Sequence, residues 1–102
     1  LVRRKLLSEE RFAEARSHML SRKFGAARIE RDLRARGVSV EQAASAAGES
    51  RATEFERARR VWQRKFGTPA TDLKERARQA RFLLSRGFST DVVKRILRHE
   101  DD

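Results

Sequence analysis

Cysteine is absent from the 102 residues, and proline occurs only once. Without Cys there is neither a disulfide framework nor a thiolate metal site, and a reducing, cytoplasmic setting is the simplest expectation. No apolar run approaches membrane-spanning length, and no signal-peptide pattern opens the chain. The two histidines, His18 and His99, stand far apart without metal-ligand spacing. No Gly-rich phosphate loop and no nucleophile elbow is present. Carboxylates are abundant, but most fall at helical spacing from an Arg, which reads as salt bridging rather than acid–base catalysis. These absences point away from an enzyme and imply no cofactor. Aromatics make up 7% of the chain. The helical spacing of Trp62 and of the Phe residues marks them as core before it marks them as base-stacking platforms.

Positive charge is plentiful. Lys and Arg number 25 against 15 acids, a net charge of +10, and 20 of the 25 are Arg. Such an excess implies a polyanionic or acidic partner, and Arg is the side chain suited to paired contacts with phosphate or carboxylate. Hydrophobic residues amount to 38%, and 14 of them are Ala. That content builds several thin helix interfaces rather than one thick core, with long Arg stems covering apolar edges.

One phrase occurs twice. Arg22-Lys23-Phe24-Gly25 returns as Arg64-Lys65-Phe66-Gly67, and each copy precedes a helical run ending in Arg-Gly and Ser, at Arg36-Gly37-Val38-Ser39 and Arg86-Gly87-Phe88-Ser89. A repeated helical unit implies stacking and partner binding. The five glycines read as left-handed helix stops. Ser8, Ser39 (with Gln42 as a capping box) and Ser89 read as N-caps, while Thr68-Pro69 and Thr71-Asp72 are equally good starts. The spacing predicts helices over about 9–23, 26–36, 40–47, 51–66, 70–86 and 90–99, with residues 1–6 ending an earlier helix. Apolar faces are expected from Phe12, Ala15, Met19 and Leu20; Ala26, Ile29 and Leu33; Phe55, Ala58, Trp62 and Phe66; Leu73, Ala77, Ala80 and Leu84; and Val92, Val93, Ile96 and Leu97. The fold class is all-α: tandem three-helix repeats in an elongated stack, straight or curved. Residues 1–8 form the tail of a preceding repeat, 9–50 one repeat and 51–102 another. The second middle helix is expected to be about two turns longer than the first. The chain opens on Leu1 rather than Met, which reads as a fragment.

Three basic surfaces emerge. Arg57, Arg60 and Arg64 share one stripe opposite Phe55 and Trp62. Lys74, Arg78 and Arg81 form another, and Arg28 and Arg31 project away from Ile29 and Leu33. Aligned in a stack, they would make a positive ridge or groove. Three short helices also invite a helix-turn-helix reading, but the run Ala43-Ala44-Ser45-Ala46-Ala47 has few side chains able to read bases. Lys94, Arg95 and Arg98 can touch phosphates without specifying sequence. From residues alone, a basic DNA-binding module acting through phosphates is one reading.

The stretch Glu10-Arg11-Phe12-Ala13-Glu14-Ala15 resembles a segment of the bacterial RecX regulatory proteins. So do Ile29-Glu30-Arg31-Asp32-Leu33-Arg34-Ala35-Arg36-Gly37-Val38, Arg64-Lys65-Phe66-Gly67 and Arg81-Phe82-Leu83-Leu84-Ser85-Arg86-Gly87-Phe88-Ser89. The order and spacing of these pieces cover essentially the whole chain. Arg16 departs from the aromatic common in that family, and Lys5 from a Gly. The resemblance implies tandem three-helix repeats, usually three, of which this chain holds the second and third. It also implies binding to the RecA recombinase filament on DNA. Damped ATPase, strand exchange and coprotease activity would follow, and with them modulation of recombination, DNA repair and the SOS response.

Overall fold

The computed structural model describes residues 2–99, with side chains from Ser8 onward. Its α-helices are α1 (Val2–Leu20), α2 (Ala26–Ala35), α3 (Val40–Glu49), α4 (Glu54–Lys65), α5 (Leu73–Ser85) and α6 (Thr90–Leu97), with a 3-10 turn at Ser50–Thr53 between α3 and α4. No strand occurs among the described residues. Helices α1–α3 pack on one another, and α4–α6 do the same. The protein is therefore an all-α tandem of three-helix units. It measures 57 × 23 × 20 Å, with a radius of gyration of 15.5 Å, against roughly 13 Å for a compact chain of this length. Elongation follows from the thin apolar content, which fills two small cores and not one large one.

The cores differ in kind. In the first unit Ala13, Ala26, Ala43, Ala46 and Ala47 surround Ile29, Leu33 and Val38. Small side chains let α1 approach α3 closely enough for the Ser17 hydroxyl to donate to the Ala46 carbonyl at 3.1 Å. In the second unit the large residues Phe55, Val61, Trp62, Leu83, Phe88, Ile96 and Leu97 do the filling. A buried amide completes it. Trp62 Nε1 donates to Gln79 Oε1 at 2.9 Å, and Gln79 Nε2 donates to Glu75 Oε2 and to the Thr68 carbonyl.

Several local expectations need correction. Ser8 does not start a helix, because α1 runs unbroken from Val2; neither Gly nor Pro interrupts it before Gly25. The inward face of α1 is Ala13 and Ser17, flanked by Leu20, while Phe12 and Met19 are about half exposed and Ala15 points outward. Likewise α5 turns Gln79 and Leu83 inward and leaves Leu73 at 84% exposure, with Ala77 and Leu84 also outside. Asp72 is the cap of α5, accepting from Glu75 N at 2.8 Å. Residues 66–72 are thus spent on the connection, so α5 has 13 residues against 10 in α2, less than one extra turn. Gly37, Gly67 and Gly87 have positive φ, but Gly48 lies inside α3 and Gly25 is the extended N-cap of α2. Residues 100–102, assigned above to the second repeat, lie outside the described residues.

Ser39 and Ser89 cap α3 and α6 by accepting from Gln42 N and Val92 N. The return half of each cap comes from another helix, not from Gln42. Glu9 of α1 accepts from Ser39 N at 2.8 Å, and Glu54 of α4 accepts from Ser89 N at 2.9 Å. Glu54 does more. Its other oxygen accepts from Ala26 N at 2.8 Å, at the start of α2. One buried carboxylate, 3% exposed, therefore ties helix N-termini of both units, where negative charge is favoured.

Candidate anion-binding cleft between the repeats

The two units meet backbone to backbone. Gly25 N donates to the Arg86 carbonyl at 2.8 Å. A Cβ at Gly25 would run into the Gly87 carbonyl, and one at Gly87 into Arg28. Glycine is needed at both places for close approach. Arg28 flanks the seam, stacked on Phe24 with its guanidinium 4.5 Å from the ring centroid and donating to the Ser85 carbonyl at 2.9 Å.

Arg57 pins the same joint from α4. It donates to the Ser21, Phe24 and Ser50 carbonyls at 2.6–2.7 Å and to the Thr53 hydroxyl at 3.0 Å. Burial pushes its pKa below the usual guanidinium value, with Glu54 opposing the shift, and a guanidinium so far above neutrality stays charged. Arg57 is thus half-buried in the joint rather than on an outer stripe. Its bonds consume carbonyls at the C-terminal end of α1, which leaves the neighbouring Arg22 and Lys23 facing outward.

Seating the α1–α2 turn against α4 creates a cleft of about 540 Å³ lined by Ser21, Arg22, Lys23, Arg57, Arg60 and Arg64. It adjoins a recess of about 290 Å³ in which Val61, Phe82, Lys65 and Arg86 join Arg22, Lys23 and Arg64. Neither lining contains a carboxylate. Arg60 and Arg64, one turn apart on α4, are exposed, as are Arg22 and Lys23. Arg86 lies against Phe24 and Phe82 at 5.4 and 4.9 Å, and Lys65 lies over Phe82 at 5.3 Å. Cations crowded without acids repel one another, and a polyanion relieves that repulsion.

Residues 52–97 match the family description "RecX, third three-helix domain", and residues 8–46 match "RecX, second three-helix domain". The regulatory protein RecX of Leptothrix cholodnii is 47% identical over all of this chain and 67% of its own length. This chain belongs to the RecX family. RecX of Ralstonia nicotianae and of Ralstonia pickettii are 39% and 38% identical, and the chain spans 60% of each. No solved structure matches. Each of these relatives carries the name regulatory protein.

Of the basic residues singled out in this RecX sequence, Arg57, Arg60 and Arg64 converge on the cleft. Arg28 sits at the seam, and Arg31 lines a separate groove on α2 with Arg34 and Arg51. Arg78 is paired with Glu75 at 2.8 Å, which holds that carboxyl below its usual pKa range, and it also covers Phe66. Lys74 and Arg81 are exposed on α5, away from the cleft lining. Of the three stripes, only the first contributes to the cleft lining. Sequence reasoning passed over Arg22, Lys23, Lys65 and Arg86; the signal was the doubled Arg-Lys-Phe-Gly phrase, whose basic pairs meet across one cleft. Among the described residues no His, Cys, Asp or Glu cluster is able to hold a metal, and no helix is long and apolar enough to cross a membrane.

Proposed function

We propose that this chain is a non-enzymatic, cytoplasmic regulator of the RecA recombinase. It engages the RecA–DNA filament and lowers its ATPase, strand-exchange and coprotease activities, and so modulates recombination, repair and the SOS response. Residues 9–50 and 51–102 act as two repeats, and residues 1–8 are the tail of a preceding one. The observation that carries this reading, beside RecX membership, is the acid-free cleft at the repeat joint. A slender body 57 Å long and 20–23 Å across suits a filament groove. The test is RecA ATPase on single-stranded DNA with this chain titrated in, alongside filament lifetime on single molecules. Inhibition at less than one chain per RecA is expected. Unchanged ATPase and lifetime at saturating chain would reject the reading.

A further inference from the structure

We infer that the inter-repeat cleft is a seat for the phosphate backbone of single-stranded DNA, gripped chiefly by Arg22, Lys23, Arg60 and Arg64. The inference deepens the filament reading and rests on it for its biological setting, but the binding it describes needs no RecA.

The first argument is the polarity of the wall. The polar side chains that line the cleft and its recess are Arg, Lys and Ser21, and the Ser21 hydroxyl already donates to His18 while its carbonyl accepts from Arg57. The lining side chains therefore offer donors to a ligand and no amide or carboxylate acceptor. A DNA backbone carries acceptors and no donors, so every polar contact can be satisfied. An acidic protein segment would bring backbone N–H groups that need acceptors here, and unmatched buried donors are costly.

The second argument is that these cations are available. None of the four makes an ion pair or side-chain hydrogen bond among the described residues. Arg57 lines the same wall but is committed to the joint. The third argument selects a single strand. The cleft opens into a recess floored by Val61 and Phe82. A single strand presents phosphates together with uncovered sugar and base faces, which such a floor and its stacked guanidiniums accept. In a duplex the base faces are stacked inside, so the apolar floor of the recess has nothing to take.

Fluorescence anisotropy on a labelled oligo-dT without RecA, repeated across salt concentrations, tests this. Four neutralised phosphates predict a slope of log affinity against log salt of about −3, at roughly −0.7 per phosphate. The double variant Arg60→Gln/Arg64→Gln should bind at least tenfold more weakly and lose about 1.4 from the slope. Lys74→Gln/Arg81→Gln removes the same charge from exposed positions outside the cleft and should change both little. Equal loss in the two variants would mean a bulk-charge effect and overturn the site. Poly-glutamate that displaced oligo-dT with the same Arg60/Arg64 dependence would overturn phosphate in favour of acidic protein. Duplex DNA binding as tightly, with the same dependence, would overturn the single-strand assignment. Circular-dichroism melts of both variants establish that they fold. If oligo-dT binding fails while RecA ATPase is still inhibited, this inference falls and the filament reading stands; the converse result separates them the other way.

Discussion

Glu54 and Arg57 show how much a single charged residue does in a thin protein. Glu54 bonds Ala26 N and Ser89 N, two donors that sit in different repeats. Glu54→Ala would leave both without a partner, and an unsatisfied buried donor costs about 1–3 kcal/mol. The expected loss is about 2–5 kcal/mol, readable as a shift in urea midpoint, with Glu54→Gln milder because one acceptor remains. Arg16, which stands where RecX relatives were expected to carry an aromatic, instead pairs with Asp32 across α1 and α2 at 2.7 Å. That bond, with lesser help from Arg36, holds the Asp32 carboxyl below its usual pKa. Glu75 is held low in the same direction by Arg78 and then Gln79. A carboxyl whose folded pKa is depressed adds stability above its unfolded value of about 4 and loses it as pH falls through the folded value. Urea midpoints should therefore be flat from pH 7 down to about 5 and fall below about 4. In Arg16→Ala the acid-side fall should be shallower. An unchanged fall would remove the pair from the acid response.

The helices themselves were readable because their ends carry strong signals: Ser39, Ser89 and Asp72 cap as their chemistry dictates. Their inward faces were less readable. Side-chain size favoured Phe12 and Met19 on α1, yet the close α1–α3 approach demands Ala13 and Ser17. On α5 one of the two buried residues is an amide, Gln79, which accepts the Trp62 indole proton and which no hydrophobic scale anticipates. The trans half of each cap, Glu9 on Ser39 and Glu54 on Ser89, spans 30 and 35 positions and has no local sequence signature. The two cores also predict unequal stability. Ala-rich packing buries less apolar area than the Phe, Trp and Leu of α4–α6, at about 25 cal/mol per Å². Amide hydrogen exchange should show higher protection in α4 and α6 than in α1 and α3. Equal protection would mean that the joint makes the repeats one cooperative unit. Gly25→Ala, which forces a methyl onto the Gly87 carbonyl, should cost about 1–3 kcal/mol and loosen that joint in particular.

For the whole molecule, the functional surface is the place where the repeats meet. The sequence showed the excess of +10 and the Arg57–Arg60–Arg64 spacing, but it could not show that Arg57 turns into the joint or that Arg22 and Lys23 arrive opposite Arg60 and Arg64. That placement depends on the Gly25–Arg86 backbone bond and on Glu54, contacts between residues far apart in the chain. The elongated shape was legible from composition, since so few large apolar residues cannot enclose a sphere. The claim that the cleft is the working surface is tested most directly by RecA ATPase on single-stranded DNA with wild type and with Arg60→Gln/Arg64→Gln, both shown to be folded. The account predicts that wild type inhibits and that the variant needs at least tenfold more chain for the same inhibition, the shift a loss of about 1.4 kcal/mol in binding would produce. Equal inhibition by the two proteins would contradict it.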